Sequence, residues 1–198
     1  MKRLILVVSP PACGKTYVSK KLAQALRHVV YLDKDTLIVL SRQIFAVAGE
    51  PYDRSSDFFE KQIRDYEYEA IVALAMEALD YDDTVLINAP FTREIRDRAY
   101  IDALRAQLQK KGAKLCVIWV QTDVEVVHQR MIKRASDRDT WKLAHWDAYI
   151  KGVNFNIPVE LDGPDEPDDL IIFENSTTEQ FDRSMQSTLR LLEEGDGR

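Results

Sequence analysis

The sequence predicts an α/β fold, a three-layer αβα arrangement built on a five-stranded parallel sheet, with a helical lid. Two observations carry this reading. Short continuous apolar runs alternate with longer amphipathic stretches along the chain. The runs are unbroken rather than alternating, as expected of parallel strands covered on both faces by crossover helices.

The elements follow in order. Residues 4–8 form the first strand, closed by Ser9, Pro10 and Pro11. Residues 16–27 read as a helix with Val18, Leu22, Ala25 and Leu26 on one side, and 29–32 as the second strand. The longest helix is expected over 57–80: Phe59, Ile63, Tyr66, Ala70, Leu74 and Ala78 recur at spacings of three or four, and Asp57 with Glu60 resembles a capping box. Residues 84–87 form a third strand ending at Asn88, Ala89 and Pro90, and a helix over 93–111 stops at Gly112. Residues 115–120 form the fourth strand; Thr122 and Glu125 then cap a helix reaching about Arg134. Residues 170–173 form the fifth strand, and a helix over 178–192 turns Phe181, Met185, Thr188 and Leu192 inward. Residues 158–169 are a loop rich in Pro, Asp, Glu and Gly, and 193–198 a frayed tail.

The 198 residues suit one domain spanning 1–198, with the lid at about 130–150. Hydrophobic residues at 45% and charged residues at 30% are ordinary for a globular protein. A net charge of −6 argues against long nucleic acid as partner. Cys13 and Cys116 lie too far apart for a metal spacing or disulfide framework, which fits a reducing, cytoplasmic setting. The first apolar run is too short to span a membrane.

Between the first strand and helix lies Ser9-Pro10-Pro11-Ala12-Cys13-Gly14-Lys15-Thr16, the Walker A pattern with Ser9 in place of the first glycine. In this setting backbone N–H groups cradle a phosphate, and the helix N-terminus adds partial positive charge. Gly14 allows close approach, Lys15 supplies a mobile cation to the β- and γ-phosphates, and the Thr16 hydroxyl is placed for Mg²⁺. Ser9, Ala12, Cys13, Gly14, Lys15, Thr16 and the adjoining Tyr17 are therefore the expected ATP-binding residues. Cys13 beside a helix N-terminus reads either as a redox-sensitive thiol or as a small residue that fits, the second being favoured. The whole becomes a P-loop NTPase fold, with ligands at the carboxyl ends of the strands.

The second strand runs into Asp33-Lys34-Asp35 beside this loop. Phosphoryl transfer to a hydroxyl needs a group that orients the nucleophile and takes its proton. Asp35 is assigned as base and catalytic residue, and Asp33 to substrate or metal; the alternative is that Asp35 caps a helix starting near Thr36. The third strand ends in Asn88, where a Walker B site usually has Asp. Asn88 and Arg93 are expected to line the acceptor site.

The loop and the aspartate pair resemble a family of small P-loop kinases and ATPases that includes polynucleotide kinase, chloramphenicol phosphotransferase and the zeta-toxin kinases. The resemblance implies a base at Asp35. It also implies a lid over ATP in which an Arg-x-x-x-Arg stretch neutralises charge on the transferred phosphoryl group: Arg134 first, then Arg138, with Arg130 on the adenine side or structural. The loop after the fifth strand borders the adenine in such folds, so Asn175 can read the base edge; a helix start at Ser176 boxed by Glu179 explains the same residues. Trp141, Trp146 and Tyr149 serve as lid packing or an aromatic pocket wall. The expected activity is transfer of the γ-phosphate of ATP, with Mg²⁺, to a hydroxyl on a small molecule or nucleotide. Phosphorylation of nucleic-acid 5′-hydroxyls, or an ATP-binding or ATPase switch, are the alternatives.

Overall fold

The run Leu4 to Val8 is fully buried and sits at the centre of the sheet. In the computed structural model, which describes residues 2–136, 139–161 and 169–194, it belongs to β1 (Lys2–Val8). The other strands are β2 (Val29–Asp33), β3 (Thr84–Asn88), β4 (Ala113–Gln121) and β5 (Leu170–Glu174). Their order is β2-β3-β1-β4-β5, and every pair is parallel. All five strands therefore end on the same edge, where Ser9, Asp33, Asn88, Thr122 and Asn175 are delivered.

The helices are α1 (Lys15–Ala25), α2 (Ile38–Ala48), α3 (Asp57–Gln62), α4 (Arg64–Ala78), α5 (Arg98–Lys110), α6 (Val124–Arg134), α7 (Thr140–Ala144), α8 (Trp146–Gly152) and α9 (Thr178–Glu194). The strand pleat sends alternate residues to opposite faces. Leu4, Leu6 and Val8 pack with Ile71 and Ala75 of α4 and Leu104 and Leu108 of α5. Ile5 and Val7 pack with Val18 and Leu22 of α1, Val127 and Met131 of α6, and Leu192 of α9. The three layers of the predicted fold are thus present, and β1 contributes to both cores.

The long helix expected over 57–80 is two helices. Ile63, at φ −129° and ψ −45°, breaks it between α3 and α4. The break rotates the phase, so Tyr68, Ile71 and Ala75 are buried while the predicted inward residues Tyr66 and Leu74 are exposed. Ser56, not Asp57, is the cap of α3, its Oγ accepting from Phe59 N at 3.2 Å. The helix expected over 93–111 opens as a 3₁₀ turn, Glu94–Arg96, before α5, whose first amides donate to Asp97. The C-terminal helix is boxed by Thr177 and Gln180 rather than Ser176 and Glu179. The loop expected at 158–169 and the tail at 193–198 fall largely outside the described residues.

Beyond the edge strand β2, α2 and α3 form a flap with a small core of its own, Phe45, Phe59 and Ile63. It is tied to α4 through Glu67, whose buried carboxylate accepts from Lys34 Nζ at 2.6 Å, from Arg54 at 2.6 and 2.7 Å, and from Ser41 Oγ. Burial alone raises a carboxyl pKa, but the donations from Arg54, Lys34 and Ser41 outweigh it and hold Glu67 below its ordinary 4.5, at about 2. A depressed folded-state value stabilises the protein above the unfolded value and is lost as pH falls toward the folded one. Acid titration should therefore remove on the order of 3 kcal/mol between about pH 4.5 and pH 2. A Glu67→Gln variant should lack that part of the pH dependence in urea denaturation.

Candidate active site

The phosphate loop is held from two sides. On one side the Cys13 carbonyl accepts from Thr122 Oγ1 at 3.0 Å, Arg130 NH1 at 3.1 Å and Asn175 Nδ2 at 2.7 Å. Arg130 NH2 also donates to the Asn175 carbonyl at 2.6 Å. The ends of β4 and β5 and a side chain of α6 thus converge on one peptide group. Ala12 (φ 63°) and Gly14 (φ 88°) both adopt left-handed backbone, which costs an L-residue such as Ala12 roughly 1–2 kcal/mol. A Cβ at Gly14 would lie 2.4 Å from Asn175 Nδ2. Glycine is needed there for conformation and for space.

On the other side stands Asn88. Its Oδ1 accepts from Lys15 Nζ at 2.6 Å and from Ser19 Oγ at 3.2 Å. Its Nδ2 donates to Asp33 Oδ2 at 2.9 Å and to Thr16 Oγ1 at 3.3 Å. Both lone pairs and both N–H groups of the amide are engaged. An aspartate could accept from Lys15 but could donate to neither Asp33 nor Thr16. The carboxylate next to Asn88 stands one strand over, on Asp33, its register partner.

Asp33 and Asp35 do not share one direction as extended strand geometry predicts, because β2 ends at Asp33 and Asp35 lies in a 3₁₀ turn, Lys34–Leu37. Asp33 Oδ1 accepts from Asp35 N at 3.0 Å, and its Oδ2 also accepts from Tyr31 OH at 3.0 Å. Asp33, not Asp35, is thus the cap. Asp35 is exposed, and its charge is felt by the Arg54 guanidinium.

Other expected residues have different surroundings. Arg130 and Asn175 brace the loop, with Asn175 Nδ2 donating to the Cys13 carbonyl. Thr122 also serves the loop; α6 starts at Val124 after Asp123, without a side-chain cap. Arg93 is exposed and pairs with Glu60 of α3 at 2.8 Å. The arginine row stops at Arg134: α6 ends there, with Ala135 at φ 45°. Arg134 Nε donates to the fully buried Asp139 at 2.8 Å, and Arg138 lies outside the described residues. Tyr17 is exposed and packs on Phe181 at 5.3 Å between ring centroids. Ser9 is buried, its Oγ donating to Pro10 O at 2.8 Å. Tyr149 joins the core and Trp146 packs against it, stacked on His128, which is the packing role for these two, while Trp141 is exposed and stacks on His145. Burial pushes the Cys13 thiol up to about 12, partly offset by Thr122 and Arg130, so it is protonated at neutral pH and the unreactive reading holds.

Sequence reasoning passed over Ser19, one helical turn after Lys15, and Thr122, whose hydroxyl reads as a cap in the sequence. Among the described residues no group of three His, Cys, Asp or Glu side chains can hold a metal, and no helix is long and apolar enough to cross a membrane. Thr16 and Asp33, bridged by Asn88, are hard oxygen donors of the kind Mg²⁺ takes in ones and twos beside phosphates.

The AAA domain family model matches residues 4–155. No curated protein matches the chain. Among solved structures it is similar to a gluconokinase from Sinorhizobium meliloti 1021, at 16% identity over 97% of this chain and 94% of that one, TM-score 0.56. A shikimate kinase from Bacteroides thetaiotaomicron shares 15% identity, with 96% and 98% covered and a TM-score of 0.54. A tunicamycin resistance protein from Deinococcus radiodurans shares 14% identity, with 96% of each chain covered and a TM-score of 0.56. Likenesses at these identities speak for the fold.

Two outcomes follow from the loop's anchoring. Gly14→Ala should abolish measurable ATP binding in calorimetry, since both its φ and the Asn175 contact resist a side chain. Asn88→Asp should set two carboxylates side by side and raise the pKa of one of them. A raised folded-state value costs stability as pH climbs, so the variant's Tm should fall relative to wild type between about pH 4 and pH 7.

Proposed function

The chain belongs to the AAA domain family, here in the form of a small P-loop kinase or ATPase, and from that premise we propose that it transfers the γ-phosphate of ATP to a hydroxyl of a small molecule or nucleotide. The single observation behind the transferase reading is the meeting of Lys15, Thr16, Asp33 and Asn88 in one hydrogen-bonded group, with Asp35 exposed on the next turn.

The loop amides and Lys15 bind the polyphosphate, and Lys15 exchanges part of its hold on Asn88 for phosphate oxygens. Thr16 and Asp33 would hold Mg²⁺, which offsets phosphate charge when bound. Asp35 orients the acceptor hydroxyl and takes its proton, an in-line role that demands positioning more than covalent chemistry. Arg134 serves the transferred group from the lid and must exchange Asp139 for it; Arg138 would be its companion. The names of the similar gluconokinase, shikimate kinase and tunicamycin resistance protein suggest hydroxyl-bearing small molecules as the first acceptors to try.

The test is a panel of sugars, polyols, hydroxy acids and nucleosides, with a 5′-hydroxyl oligonucleotide included, assayed for ATP-dependent phosphorylation. Asp35→Ala should lower turnover about 10²–10⁴-fold while ATP affinity stays within about threefold. Lys15→Ala should weaken ATP binding roughly tenfold to a hundredfold, as loss of a charged hydrogen bond does. ATP binding with no transfer to any member of the panel would discard the transferase reading in favour of a switch or ATPase.

A further inference from the structure

We propose that Glu67 is the positioning residue of the acceptor side, the buried carboxylate through which α4 fixes the Asp33–Asp35 turn and the α2–α3 flap relative to the phosphate loop. Its catalytic consequence rests on the reading of Asp35 as base; its geometry does not.

The Glu67 side chain is 3% exposed. Its donors come from three separate places. Lys34, itself buried, lies between the two aspartates. Ser41 stands on the inward side of α2 next to the small core around Phe45. Arg54 comes from the connection between α2 and α3; it grips both carboxylate oxygens and lies over the Phe59 ring at 4.4 Å. Such bidentate pairing fixes direction as well as distance. Because Lys34 points into the protein toward Glu67, the turn is clamped at successive residues: Asp33 by Asn88 and Tyr31, Lys34 by Glu67. Asp35 is the next residue and has little freedom to move apart from them.

The cluster also contains two cations and one carboxylate, an imbalance that a buried site tolerates poorly. The charge of Asp35 acts on Arg54, as does that of Glu67. Asp35 thus adds to the field at the guanidinium that Glu67 holds, and the turn and the flap share the Glu67 carboxylate through Lys34 and Arg54. A shift of about 1 Å in a reacting group can cost on the order of a hundredfold in rate, so the cluster has leverage on turnover without touching nucleotide.

The experiment compares Glu67→Gln with wild type in three measurements: amide hydrogen exchange, affinity for Mg·ATP, and hydrolysis of Mg·ATP by water, which needs no identified acceptor. Exchange over residues 34–62 should quicken about tenfold or more, with β1 and β4 unchanged, as expected of local opening. Turnover should fall about tenfold to a hundredfold with ATP affinity kept within about twofold, a kcat effect rather than a binding effect. Arg54→Gln should reproduce this and Arg54→Lys should restore part of it; that pair decides the matter if Glu67→Gln does not fold. Full turnover in a folded Glu67→Gln variant, or loss of turnover only in proportion to ATP affinity, overturns the proposal. Failure of the base reading shows separately, as retained turnover in Asp35→Ala, where the Glu67 cluster is intact.

Discussion

The side-chain amide of Asn88 is the joint on which the nucleotide side of the molecule depends. Neighbouring parallel strands lie about 4.8 Å apart, so the register pairing of Asn88 with Asp33 puts their side chains within reach at the sheet edge. An amide there has two donors and two acceptors to distribute, and it gives the acceptors to α1 and the donors to Thr16 and Asp33. A carboxylate in its place would repel Asp33. Asn88 on β3 and Asp33 on β2 are therefore one arrangement, in which the negative charge at this edge of the sheet stands on β2.

The Cys13 carbonyl plays the complementary part on the far side of the loop. A turn with left-handed residues at 12 and 14 would relax if left to itself. Donors from the end of β4, from α6 and from the residue after β5 oppose that relaxation. This explains why residues far apart in sequence serve one peptide group. The parallel sheet brings all strand ends to one edge, and the last two strands would otherwise have no hold on a loop that leaves the first.

The strands and the phosphate loop were legible in the sequence because burial on both faces leaves unbroken apolar runs, and because loop, strand and helix follow in fixed order. The break at Ile63 was not, since side-chain spacing carries no sign of a single backbone rotation. Once φ and ψ change there, Tyr66 and Leu74 turn outward although their spacing to Phe59 is still helical. Thr122 and Asn175 were placed in the right loops with different tasks, because a hydroxyl or amide that can cap a helix can equally satisfy a distant carbonyl. Glu67 offered no signal at all. A glutamate in a helix reads as solvent-facing, and only the fold sets Lys34, Ser41 and Arg54 around it.

The two sides of the site are held by different means, and this bears on how they move. The phosphate loop is fastened to the central strands, whose opening requires disruption of both large cores. The flap has a core of only a few aromatic and aliphatic side chains, plus the ion cluster at Glu67. Elements with little buried apolar surface open at lower free energy than the global transition. Arg134 is likewise tied to Asp139, just beyond the end of its own helix, rather than to the sheet. The phosphate loop thus sits on the rigid part, while the α2–α3 flap and Arg134 sit on parts able to rearrange without unfolding it. Such a division suits a phosphotransferase, which must admit its substrates and then exclude water around the phosphate it transfers.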